Sequence, residues 1–150
     1  MKKILMAMML VMAFSVTIAA HDEGHGPKLA DVAKYGGAVA PAILAKESSL
    51  GRKAKLIYKG ELTRSTDGTV RVYLYDTRMK PLMLSGFETT GKATLEVKKN
   101  SKWEKSVFAL QKEGDSFVGK MPKVARKPFN IDVIVREGSR DLLIAFDGLD

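Results

Sequence analysis

Beyond residue 38 the chain repeats one pattern: a short run of alternating apolar and polar residues, then a turn. Residues 69–76 (TVRVYLYD) show it best. Successive side chains of a strand point to opposite faces, so Val70, Val72 and Leu74 share one side, and Arg71, Tyr73 and Tyr75 the other. Residues 54–63 repeat the pattern, with Leu56, Tyr58 and Leu62 on one side and Lys55, Lys59 and Glu61 on a more polar one. Further runs cover residues 39–44 (interrupted by Pro41), 92–99, 103–111, 116–121, 129–135 and 140–146. The joints are turn chemistry: Asp67-Gly68, Asn100-Ser101, Glu113-Gly114-Asp115 and Glu137-Gly138-Ser139. Gly and Asn accept the positive φ that tight hairpins require. No long amphipathic helical pattern interrupts the series. The spacing predicts an all-β fold over residues 35–150, a single antiparallel immunoglobulin-like sandwich of seven to eight strands. A small closed barrel is the other solution to the same pattern.

The amino end reads differently. Lys2 and Lys3 precede an apolar stretch over residues 4–18, and Ala19 and Ala20 close it. The stretch is about 15 residues, short of the ~20 that a spanning helix needs. Residues 1–20 therefore read as a cleaved secretory signal peptide, followed by a flexible lead-in over residues 21–34. The expected location is periplasmic or secreted, in a bacterial envelope, with no transmembrane segment after cleavage. The chain has no cysteine, which excludes disulfides, thiolate metal sites and a cysteine nucleophile. It is basic, with 25 Lys+Arg against 17 Asp+Glu. A basic exported protein meets anionic polymers and lipid headgroups, so nucleic acid is not an expected partner.

The residues with most chemistry lie just past the cleavage region, in His21-Asp22-Glu23-Gly24-His25-Gly26. Cleavage after Ala20 makes His21 the new terminus, where its α-amine and imidazole can chelate one ion. Cleavage after Ala19 makes it second, where amine, backbone amide and imidazole still wrap Cu(II). Imidazole suits copper, and the Irving–Williams order favours it. His21, His25, Asp22 and Glu23 are thus the candidate metal ligands; a polar tail kept open for processing is the plain alternative. Met79, Met83 and Met121 are soft donors suited to Cu(I) or, equally, core fillers. Arg71, Tyr73 and Tyr75 form a possible partner face. Lys98, Lys99 and Lys102 (with Lys105), and Lys123, Arg126 and Lys127 (with Lys120), form two basic clusters. They suit an anionic envelope polymer, lipid phosphates or an envelope protein, or serve to protect strand edges. Both histidines sit in the lead-in, and a catalytic base must be held in place, so no enzyme is expected.

The segment Lys34-Tyr35-Gly36-Gly37-Ala38-Val39, then Val72-Tyr73-Leu74-Tyr75-Asp76 followed by Met79-Lys80-Pro81-Leu82, resembles a group of small exported bacterial β-sandwich proteins. Their pattern is His-Gly-Gly-x-Val, then Val-Tyr-Leu-Tyr-Asp and a Lys-Pro turn, and some belong to envelope metal handling. Tyr35 stands where their His would be. The resemblance covers about residues 34–85 and implies the fold and the compartment. Through His21 alone the chain is also similar to periplasmic copper carriers whose mature chain starts with His.

Overall fold

The computed structural model describes residues 24–150. The expected signal peptide and the candidate ligands His21, Asp22 and Glu23 lie outside the described residues.

Eight strands form: β1 (Ala38–Leu44), β2 (Tyr58–Arg64), β3 (Thr69–Tyr75), β4 (Thr90–Lys99), β5 (Lys102–Glu113), β6 (Ser116–Lys120), β7 (Phe129–Glu137) and β8 (Arg140–Leu149). Two 3-10 stretches, Ala45–Lys53 and Leu84–Gly86, are the helical elements among the described residues. The expected hairpin joints are where the sequence puts them. Asn100 and Ser101 both take positive φ, 48° and 66°, and Lys99 pairs with Lys102 across them. That is the two-residue turn whose twist matches the strands it joins.

β1, β2 and β3 form one meander, and β4, β5 and β6 another. The second is laid so that β6 pairs with β3 and β4 pairs with β7; β8 then pairs with β1. Every pairing is antiparallel. The all-β expectation holds. The two separate sheets of an immunoglobulin-like sandwich are not what the ladders form, because β3–β6 and β8–β1 are bonded and the sheet closes into a barrel.

The inward positions are those the alternation selects. Phe117, Phe129, Ile131, Leu142, Ile144 and Phe146 are buried inside with Val70, Val72 and Leu74. Each such side chain contributes about 1.5–3 kcal/mol by leaving water. A small second cluster lies outside the barrel wall. Ile43 of β1 and Leu143 of β8 pack there with Ala54, next to Ala45 and Ile134. The Gly26 amide donates to the Gly51 carbonyl at 2.8 Å, so the amino-terminal segment begins its path on this cluster.

Candidate functional site

Residues 24–37 do not hang free. They run as a strap across the outer faces of β1, β2 and β3. The outer face of β2 carries Lys59 and Glu61, a pattern that reads as solvent-facing. Instead Lys59 is 7% exposed and Glu61 0%. Asp31 on the strap pairs with Lys59 at 2.7 Å. Glu61 accepts four hydrogen bonds: from the amides of Lys34 (2.9 Å), Tyr35 (2.7 Å) and Gly37 (3.0 Å), and from the Tyr75 hydroxyl (2.9 Å). Burial pushes this carboxyl up, but the Gly37, Tyr35 and Lys34 amides and the Tyr75 hydroxyl outweigh it, and its pKa falls below the ordinary value. A buried carboxylate with its lone pairs filled is the stable form of such a group. Gly37 fits this crossing because a Cβ there would overlap the Leu62 carbonyl.

The strap also covers the aromatic face. Tyr35 stacks on Tyr73 with ring centroids 4.2 Å apart, and the Lys34 ammonium lies 5.3 Å from the Tyr75 ring centre. Tyr75 is 1% exposed. Arg71 donates to the Ser116 hydroxyl at 3.2 Å. Tyr75 is therefore corrected from partner surface to buried latch, and Arg71 and Tyr73 are engaged by the chain itself.

His25 is fixed where the strap begins. Its Nδ1 lies 3.1 Å from the Ser48 carbonyl oxygen. A carbonyl can only accept, so this contact needs the proton on Nδ1, and in the neutral form of the ring the lone pair is then on Nε2. Metal-binding imidazoles are oriented by this kind of carbonyl contact. His25 borders an open groove of about 260 Å³ that Pro27, Pro41, Arg52, Phe146 and Asp147 also line.

Next to it, on the outer face of β7, stands Asp132, opposite Thr94 of β4 and Ala145 of β8. Burial pushes its carboxyl up, Glu96 and Asp147 add to this, and His25 and Lys105 pull the other way; the result is about 6. A raised carboxyl binds its proton more tightly in the fold. Its contribution is therefore most favourable below the ordinary value of 3.8, and stability is lost as pH rises through about 6. Asp132→Asn is expected to stabilise the protein at pH 7.5 by about 1–2 kcal/mol and to have little effect near pH 4, read by urea unfolding at both values.

Among the described residues no three His, Asp or Glu side chains converge closely enough to hold an ion. Met79 and Met121 lie at opposite ends of β3. The Met79 amide bonds to Asp76 past one end of β3, and the Met121 amide to Gly68 before its other end. Met121 packs against the core, and Met83 is 85% exposed.

The two basic clusters do come together. Lys98, Lys99 and Lys102 form the β4–β5 hairpin tip, and β4 pairs with the start of β7, which Lys123, Arg126 and Lys127 precede. Both therefore sit at one end of the barrel. No helix among the described residues is long and apolar enough to cross a membrane.

Sequence reasoning placed His25 in a flexible lead-in and missed Glu61, Asp132 and the Ser48 carbonyl. Glu61 and Asp132 each occupy the polar half of an alternating strand, and a run of residues gives no sign that another segment covers that half. Comparison with known proteins finds no matching family, no matching characterised protein and no matching solved structure.

Proposed function

We propose that this is an exported, non-enzymatic envelope binding protein that takes copper at its amino-terminal tail. Signal cleavage leaves His21 at or beside the new terminus, and the α-amine and His21 imidazole form the first chelate. The ring of His25 closes the site, with Asp22 and Glu23 as further oxygen donors. One observation carries this reading: His25 Nδ1 lies 3.1 Å from the Ser48 carbonyl oxygen, a contact that fixes the ring and, in its neutral form, leaves the lone pair on Nε2. Asp132 interacts electrostatically with His25, and Asp147 lines the same groove, which Arg52 and Lys28 also border. Copper is favoured over zinc because, for a given set of amine and imidazole donors, Cu(II) stands above Zn(II) in the Irving–Williams order.

The test is calorimetric titration of Cu(II) into protein exported with its own signal, its new terminus fixed by intact mass. Tight one-to-one binding that His21→Ala abolishes supports the reading. Absence of binding retires it.

A further inference from the structure

We propose that the end of the barrel carrying the two basic clusters docks on an anionic lipid surface. This inference stands apart from the copper reading and uses none of its residues. The topology assembles the surface from distant segments. Lys99 pairs with Lys102, Lys98 with Trp103, and Val97 with Phe129. The hairpin tip and the start of β7 are thus neighbours. Met121 and Val124 pack against the core, which lays the β6–β7 connection over the barrel end and turns its cations outward. Lys98, Lys99, Lys102, Lys123, Arg126 and Lys127 are all exposed. Of the six, Lys99 has a carboxylate partner, Glu104 at 3.3 Å, with both side chains more than half exposed. Such a pair is worth little and yields readily to a denser anionic surface.

The hairpin also presents an open strand edge, although its β4 arm is bonded to β7 as far as Val97. β6 pairs with β5 from Leu110 to Glu113, so residues 102–109 have β4 on one side and no ladder on the other among the described residues. The single tryptophan of the chain lies on this open-edged strand. Trp103 is half-buried and directly opposite Lys98. Val107, two residues along the same face, is 62% exposed. A soluble polyanion needs only the charges. A ribbon that presents an indole and an aliphatic side chain among lysines matches a bilayer interface, where the indole sits at headgroup depth and the cations meet phosphates. The basic end also holds Asp67, paired with Lys120, and Asp150, and the far end carries Asp76, Glu88, Glu113, Asp115 and Glu137 among its cations; the six exposed cations draw the hairpin end toward an anionic surface.

Trp103 reports its own environment. Full mature protein is mixed with vesicles of phosphatidylcholine containing about a third phosphatidylglycerol, with neutral vesicles, and with soluble polyphosphate. The expected result is co-flotation with the anionic vesicles and a blue shift of Trp103 emission. Neither should occur with neutral vesicles, and both should be lost in high salt, where screening shortens below the ~10 Å of 0.1 M. Each lysine near such a surface is worth about fivefold in affinity, so Lys98→Glu/Lys99→Glu/Lys102→Glu should lower it by more than a hundredfold. An unchanged melting curve keeps that variant interpretable, since all three side chains are exposed. Trp103→Phe should weaken flotation while leaving the salt dependence in place. Vesicle binding that the triple variant does not alter would overturn the proposal. So would polyphosphate binding with no flotation and no emission shift, or no binding to either.

Discussion

Glu61→Ala is expected to destabilise the protein by about 3–5 kcal/mol, the largest effect of any single polar substitution in the described chain. The carboxylate accepts from three strap amides and one tyrosine hydroxyl, and all four donors lose their acceptor at once. Hydrogen bonds to a charged group are worth more than neutral ones, and a buried donor left unmade costs its full desolvation. Glu61→Gln should fall between, because its amide nitrogen must face donors that a carboxylate oxygen accepts from. The pH dependence has a definite sign. The folded-state pKa is depressed, so the stabilisation is present above the ordinary value of 4.5 and is lost as pH falls through the folded value. The gap between wild type and Glu61→Ala is therefore widest at neutral pH and closes in acid. Urea unfolding from pH 3 to pH 7 reads it directly. The same variant should release the strap, so that limited proteolysis cuts within residues 24–37 of the variant and spares the wild type.

The second large effect is on copper. In the proposed site the His21 chelate ring anchors the ion, so His21→Ala should lower Cu(II) affinity by at least about a hundredfold, ~2.7 kcal/mol. His25→Ala removes one donor from a site that keeps its terminal chelate, and about tenfold is expected. Both variants should melt with the wild type. His25 contributes one contact to the Ser48 carbonyl outside the core, far less than the barrel interior supplies. A His25→Ala effect equal to that of His21→Ala would mean that the strap, rather than the terminus, dominates the site. Affinity unchanged in both would end the copper reading.

Much of the fold was legible because the barrel wall obeys a period of two. Val70, Val72 and Leu74 turn inward as their alternation requires, and Phe129, Ile131 and Val133 do the same. The hairpin at Asn100-Ser101 was legible because few residues tolerate its backbone. Sheet closure was not. Whether β8 returns to β1 depends on the β3–β6 and β4–β7 pairings, which join segments far apart in the chain, and no local signal encodes them. The outer face was the other blind spot. Tyr73, Tyr75 and Glu61 were read as exposed because an alternating strand shows which residues share a face, not what later covers it. The cover is a stretch of glycines and charges that carries no strand or helix signature. It docks through its backbone amides, and amide position is invisible in side-chain patterning. His25 was singled out for its chemistry alone. Its anchor is a backbone carbonyl 23 residues away, which no spacing rule would select.

The account turns on the strap being a fixed part of the barrel that holds His25 in place. Hydrogen exchange on the mature protein tests this most directly. The amides of Lys34, Tyr35 and Gly37 donate to a buried carboxylate, and the Gly26 amide donates to Gly51. They should exchange with the slow rates of the β2 and β3 amides beneath them, and Glu61→Ala should return them to fast exchange. Exchange at the rates of an unstructured chain end in the wild-type protein would contradict the account: the strap would not be docked, and His25 would have no fixed place beside Asp132.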